Sequence, residues 1–371
     1  MRAEMKDKSW ADIALLLVAG GESSRMGCDK RWLEVGGMGL LERTLAKAKA
    51  ANFGEILLCV EEDLPELREL AEKYGARLSF DRVRHNGPMA GLAEGLASTH
   101  KEWTLAVSGD MPFLDFEILR PLQERGMSEV KAVMPVVQGR RQPLAAFYHK
   151  SLADSFGKSL AQGQRRLYSL LGQVPHTEVA LETSEAAFFN VNTPADLRLA
   201  RGRMANRDRK VPIVSVVAPA SGTGKTTFIE RLLPKLQDYG LRVGVVKSDA
   251  HGFQLDMEGK DSWRFTKAGA KSVAVVSPTG WVLMQETDER ASLEQVAAKM
   301  EGIELLLTES RTHGTCPALS LWRGKGEPMA GDDVVALFAK GLASGSVRGI
   351  LQLDLDDVEE AARLCLFLMG R

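Results

Sequence analysis

The sequence is poor in the features that mark secreted, membrane-bound or nucleic-acid-binding chains. It has four cysteines in 371 residues: Cys28, Cys59, Cys316 and Cys365. No two form a C-x-x-C pair, so neither a zinc site nor a disulfide framework is expected. A reducing, cytoplasmic setting is the simplest reading. Neither sign of charge prevails. The formal net charge of −1 leaves no global basic field for nucleic acid or a membrane surface. Long apolar runs are also missing: the stretch from Ile13 to Val18 is too short for a bilayer span and runs straight into glycines. No targeting segment is evident, and the charged residues Met1 to Ser9 are expected to be disordered. No convincing internal repeat is found.

What is present fits two domains. The length exceeds the prior of roughly 150 residues per domain, and 44% apolar residues suffice for a sizeable core in each half. The basic run 201–210 lacks apolar periodicity and reads as a solvated seam. This predicts one domain over 1–203, a linker over 204–210 and a second domain over 211–371. Strands are predicted at 13–18, 56–60, 77–80, 104–107 and 132–137 in the first half. In the second they are predicted at 213–218, 242–247, 272–277, 304–308 and 349–353. Helical patterns separate them. Such alternation implies α/β architecture, with two doubly wound domains on mostly parallel sheets. Ligands on such sheets sit at the carboxyl ends of the strands, so the informative residues should follow each apolar run.

After the first run come Val18, Ala19, Gly20 and Gly21, then Arg25, Gly27, Asp29 and Lys30. Paired glycines let backbone approach a ligand, and their N–H groups can hold phosphate oxygens. Arg25 and Lys30 can neutralise a triphosphate and a departing pyrophosphate. A tight turn with two solvated cations is the plain alternative for Gly-Gly alone. Ser108-Gly109-Asp110-Met111-Pro112 follows another strand. A lone aspartate there is ordinarily a turn or cap residue, but Asp110 can also present a carboxylate to Mg²⁺ bridging phosphates. Asp81 ends a third strand and is followed by the small-residue loop Asn86 to Leu92. Asn190 and Asn192 flank Val191 and share a face if extended. Capping of the helix near Thr193 explains Asn192 but not Asn190.

The second half holds Ser221, Gly222, Thr223, Gly224, Lys225, Thr226 and Thr227, directly after an apolar run and before an amphipathic helix. This is the end of a Walker A loop. Its N–H groups cradle phosphates, Lys225 reaches the β and γ oxygens, and the Thr226 hydroxyl can ligate Mg²⁺. Pro219 stands where that motif has its first glycine. Asp249 and His251 follow the next strand. Glu309 falls where such proteins place a carboxylate near the Mg²⁺ water.

The strings VAGGESSRMGCDK, NGPMAGL, SGDMP and NVNTPADL, in that order over residues 13–200, resemble the molybdenum cofactor guanylyltransferases. By that resemblance Val18, Ala19, Gly20, Lys30, Asp81 and Asp110 are nucleotide-contacting, with Asp110 the Mg²⁺ ligand. Met38-Gly39 stands where that family usually has Lys-Pro, and Cys59 where a polar residue is usual. Residues 211–371 resemble the GTP-binding adapter protein of molybdopterin-guanine dinucleotide biosynthesis, through SGTGKTTF, GKDSWRFTKAGA and LDLDDVEEAA. Glu309-Ser310-Arg311-Thr312 replaces that family's usual Glu-Gly-Phe-Lys. Together the resemblances imply a fusion that transfers GMP from GTP to molybdenum-bearing molybdopterin with Mg²⁺, while a second module binds GTP and assists delivery. Implied partners are those small molecules and molybdoenzymes or their chaperones, with neither nucleic acid nor membrane. A cytidylyl or sugar-1-phosphate nucleotidyltransferase and a nucleotide-regulated scaffold are the alternatives.

Overall fold

The computed structural model describes residues 10–19, 26–81, 87–125, 127, 129–164, 166–248, 257–310, 315–341, 345 and 347–371. The chain divides into two compact units between Arg201 and Gly202.

The first unit runs β1 (Ile13–Val18), a short hairpin of β2 (Glu34–Val35) and β3 (Met38–Gly39), α1 (Leu40–Ala51), β4 (Glu55–Val60), α2 (Pro65–Tyr74) and β5 (Arg77–Phe80). It continues through α3 (Pro88–Ser98), β6 (Trp103–Ser108), α4 (Arg120–Arg125), β7 (Ala132–Val137), β8 (Arg140–Arg141), β9 (Ala145–His149), α5 (Ala153–Ala161), α6 (Leu167–Leu171) and β10 (His176–Ala180), and ends within α7 (Pro194–Arg207), whose second half belongs to the second unit. The main sheet has the order β10-β7-β9-β6-β1-β4-β5, with β8 added to β7. Strand β1 is central and parallel to both β4 and β6. It is buried at every position, and its period of two divides the core. Ile13, Leu15 and Leu17 face Leu41 and Leu45 of α1 and Leu67 of α2. Leu16 and Val18 face Met89, Leu92 and Leu96 of α3 and Phe156 of α5. Helices on both faces make the unit doubly wound.

Three strands of this sheet, β8, β9 and β10, lie outside the predicted set. β9, absent from the predicted set, runs antiparallel to β6 and β7. β10, also unpredicted, buries only Val179, which leaves almost no hydrophobic periodicity for sequence reasoning to find.

The second unit holds β11 (Ile213–Val217), α8 (Lys225–Asp238), β12 (Val243–Lys247), α9 (Asp261–Lys267), β13 (Ser272–Ser277), β14 (Gly280–Gln285) and α10 (Leu293–Ala297). Then come β15 (Leu305–Ser310), β16 (Ala318–Trp322), β17 (Val334–Ala339), β18 (Leu351–Asp354) and α11 (Val358–Met369). Its six-stranded sheet, β12-β15-β11-β16-β17-β18, is parallel throughout. The predicted strand at 272–277 is a strand, but it pairs only with β14 in a separate hairpin. β16 and β17 were not predicted, although all six residues of β17 are buried.

The expected linker also takes a different form. Helix α7 continues to Arg207, and Asn206 is buried. Its Nδ2 donates to the carbonyls of Ile213 (3.2 Å) and Leu368 (3.3 Å), and its Oδ1 accepts from the Ile213 N–H (3.1 Å). A buried amide with partners on both atoms anchors one point of a stretch in which Ala205, Arg207, Asp208 and Lys210 are exposed.

Helix α3 lies unusually close to the sheet because Gly91 and Gly95 face it. A Cβ on Gly95 would fall 2.1 Å from Leu16 Cδ1 in a fully buried position. Gly95→Ala is therefore expected to destabilise by about 1–3 kcal/mol through overpacking. The check is the denaturant midpoint of the full-length variant, which should fall.

Candidate functional site

The first site is built where β5, β4, β1 and β6 end side by side. The Ala19 N–H donates to the Cys59 carbonyl (3.0 Å) and the Gly109 N–H to the Val18 carbonyl (3.0 Å), so three strand ends are tied backbone to backbone. Val18 and Ala19 sit at this edge. Gly20, Gly21, Arg25 and Asn86, nominated from the sequence, lie outside the described residues. The chain returns at Met26, and Asp29 caps a short 3₁₀ turn over Lys30–Trp32. The Asp29 carboxylate takes the Arg31 guanidinium, with contacts of 2.6 to 2.9 Å. The adjacent Lys30 reaches across to Asp110, Nζ to Oδ2 at 2.5 Å.

Asp110 is 5% exposed and held on three sides. Ser108 Oγ donates to its Oδ1 (2.6 Å), Lys30 to its Oδ2, and the Val191 N–H to its main-chain carbonyl (2.9 Å). The last bond carries the Asn190–Asn192 segment to the same edge. Asn190 turns its amide to the Phe188 carbonyl (3.0 Å). The helix start belongs to Thr193 and Asp196 rather than to the Asn192 side chain. Thr193 Oγ1 accepts the Asp196 N–H (3.2 Å), and Asp196 Oδ2 accepts the N–H groups of Asn192 (3.0 Å) and Thr193 (2.8 Å). This reciprocal bonding is a capping box with aspartate in the acidic position.

Asp81 lies at the other end of the edge. Its N–H donates to the Val60 carbonyl (3.0 Å). Its side chain is buried beside Gly91 and Cys59, and Oδ1 has no hydrogen-bond partner among the described residues. Burial, reinforced by the charges of Glu61 and Glu94, pushes its pKa up to about 7. Burial and the Asp81 charge likewise push the Cys59 thiol up, so it is an inert core thiol. Three strand spacings separate Asp81 from Asp110, roughly 14 Å at about 4.8 Å each. That span is comparable to the length of a nucleotide.

The second site follows β11. Gly222 and Gly224 have positive φ (72° and 95°), and Gly224 forms the N-terminal boundary of α8. Thr223 is buried and its Oγ1 donates to the Ala220 carbonyl (2.7 Å), closing the loop on itself. Lys225 is buried at the start of α8, whereas Ser221, Thr226 and Thr227 are exposed. Thr226 Oγ1 donates to Glu309 Oε2 (3.0 Å). Glu309 comes from β15, whose register sets it beside Val216 and Lys247. Asp249 and His251 lie outside the described residues. Sequence reasoning missed Ser108 and Arg323, the latter placed against Gly224. Both adjoin the carboxyl end of an apolar strand, the signal that nominated the others.

Among the described residues no three His, Cys, Asp or Glu side chains form a metal cage. Each site offers less than a cage and suits Mg²⁺, which keeps waters and takes one or two protein oxygens plus substrate phosphates. The first supplies Asp110, and the second supplies Thr226 beside Glu309. No helix among the described residues is long and apolar enough to cross a membrane.

Lys30 and Asp110 thus meet at the strand ends of the first unit, and the second unit carries a glycine-rich turn before α8 with the sequence of a phosphate loop. A family model described as "MobA-like NTP transferase domain" matches residues 15–178. Another, "Molybdopterin guanine dinucleotide synthesis protein B", matches residues 213–340. The probable molybdenum cofactor guanylyltransferase of Peptoclostridium acidaminophilum is 30% identical over 195 residues, covering 49% of this chain and 86% of that protein. That of Natronomonas pharaonis is 30% identical over 197 residues, covering 51% and 97%. The molybdopterin-guanine dinucleotide biosynthesis adapter protein of Haemophilus influenzae is 35% identical over 118 residues, covering 31% of this chain and 66% of that protein. Through its first unit the chain belongs to the molybdenum cofactor guanylyltransferase family.

The Asp81 environment gives a prediction with a definite sign. Its folded pKa lies above that of an unfolded chain, so the folded state binds the extra proton. The resulting stabilisation is intact below about pH 4 and lost as pH rises to about 7. Asp81→Asn removes this loss. Unfolding midpoints measured from pH 4 to 8 should shift progressively in favour of the variant up to about pH 7, then level off. A difference that does not change with pH would contradict the assignment.

Proposed function

We propose that the first unit transfers GMP from GTP to molybdopterin bearing molybdenum, forming molybdopterin guanine dinucleotide and releasing pyrophosphate. Family membership supports the substrates, and the Lys30–Asp110 pair at the carboxyl edge of β1 and β6 is the observation that carries the chemistry. A phosphate oxygen of molybdopterin attacks the α-phosphorus in line. The new P–O bond forms as the bond to the bridging oxygen breaks, and pyrophosphate leaves with that electron pair. The protein positions the two anions and neutralises charge. Asp110 is assigned to Mg²⁺, which when bound polarises the phosphates.

Lys30, with Arg25, is assigned to the charge that develops on the leaving group. In the free protein Lys30 neutralises Asp110, and bound Mg²⁺ would release it toward the phosphates. Val18, Ala19, Gly20 and Gly21 are assigned to backbone contacts with the nucleotide, Asp81 to its far end, and Asn190 and Asn192 to the rim. For the second unit we propose GTP binding by Ser221 to Thr227, with Thr226 at a second Mg²⁺. This unit assists maturation or delivery of the cofactor to molybdoenzymes or their chaperones. The setting is cytoplasmic.

Asp110→Asn is expected to lower turnover by about 100-fold or more, because one anionic anchor of the phosphate charge is lost. Pyrophosphate release with molybdopterin is the readout, and near-normal turnover at ordinary Mg²⁺ would leave Asp110 a structural role only. GTP should be preferred strongly over CTP and UTP, since a site that hydrogen-bonds one base leaves polar groups unpaired with another. Equal turnover with CTP would favour a cytidylyltransferase instead.

Lys225→Ala is expected to remove one class of GTP site, counted by equilibrium binding to the full chain, while transfer continues in the first unit. Loss of transfer in that variant would show that the units do not work independently.

A further inference from the structure

Arg323 follows β16 directly. The parallel register pairs Val217 of β11 with Ser320 of β16. Continued by three residues, that register sets Arg323 level with Ala220, at the end of the sheet that carries the phosphate loop. The turn that holds it is fixed at two points. The Trp322 indole N–H donates to the Gly326 carbonyl (2.9 Å). Gly326, with φ of 69°, comes so close to the loop that a Cβ on it would touch Pro219 at 3.6 Å.

The guanidinium then lies over Gly224. Its NH2, Cζ and Nε atoms are 3.2, 3.4 and 3.5 Å from the point where a Cβ of Gly224 would sit. The missing side chain, together with a φ of 95°, is what permits this approach. The next residue is Lys225, whose N–H and ammonium belong to the phosphate cradle.

We propose that Arg323 is a phosphate-contacting residue of the second unit, supplying in cis a fixed positive charge that grips the terminal phosphate of a bound nucleoside triphosphate. The proposal rests on the reading that this unit binds GTP. Its physical basis is the planar fork of the guanidinium. That fork donates two hydrogen bonds to one phosphate and is more weakly hydrated than an ammonium, so it can remain close to an empty loop and turn to an arriving anion. Glu309 does not compete for it, being engaged with Thr226 across the loop. A charge aimed at the terminal phosphate distinguishes GTP from GDP, which the loop backbone and Lys225 hold in common.

The test compares wild type, Lys225→Ala, Arg323→Ala and Arg323→Lys as full-length chains, with GTP and GDP titrated in Mg²⁺. The component of binding that Lys225→Ala removes belongs to the second unit. On that component Arg323→Ala should weaken GTP tenfold or more and GDP distinctly less, and Arg323→Lys should recover only part of the difference. Arg323 is exposed, so unfolding midpoints should be unchanged. If Lys225→Ala removes a component on which Arg323→Ala leaves the GTP-to-GDP ratio unaltered, the role of Arg323 is overturned and GTP binding stands. If Lys225→Ala removes no component, both fall.

Discussion

Parallel strands deliver their carboxyl ends to one edge, and both units obey that constraint. In the first, β5, β4, β1 and β6 end together, and the hydrogen bonds from Ala19 to Cys59 and from Gly109 to Val18 fix the spacing of the loops above them. In the second, β12, β15, β11 and β16 do the same for Ser248, Glu309, the phosphate loop and Arg323. The reversed strand β9 lies on the far side of β6, outside this set. Backbone geometry therefore selects which side chains can meet. Their chemistry then decides what is held.

The first site treats its two carboxylates in opposite ways. Asp110 is compensated by a cation and a hydroxyl, so its charge is fixed in place before any ligand arrives. Asp81 has burial and the charges of Glu61 and Glu94 around it, all of which favour its neutral form. One end of the edge is thus prepared for metal and phosphate. The other carries a group whose pKa is raised by burial and whose Oδ1 is unsatisfied among the described residues. A buried acceptor in that condition gains most from a donor on a ligand, because the protein has already taken on the cost of desolvation.

Much of this was readable from the sequence, for a local reason. Lys225 and Thr226 lie beside glycines that follow the buried strand β11, Asp81 directly follows β5, and Asp110 stands two residues past the end of β6. A rule about strand ends nominates them without knowledge of the fold. The same rule applied to Val334–Ala339 would have identified β17, and applied to Ala318–Trp322 it would have reached Arg323. β16 is obscured by Ser320 in its middle, a polar residue buried all the same. The pairing of Lys30 with Asp110 spans 80 residues, and no local pattern encodes it. The stretch after Arg201 hides one feature in the same way. Its many basic residues suggest solvent, while a single amide, Asn206, supplies the anchorage.

The closeness of α3 to the sheet links two residues that are 32 positions apart. A Cβ on Gly91 would come within 3.3 Å of the Cβ of Cys59 and 3.4 Å of Val18 Cγ1. The volume available to residues 59 and 91 is therefore shared. A chain that enlarges one must keep the other small or lift the helix away from β4. Since Asp81 Oδ1 borders the same gap, such a shift would also alter the environment that sets its protonation. Across related chains, these two positions should vary as a pair, with the polarity at 59 changing only where 91 leaves room for it.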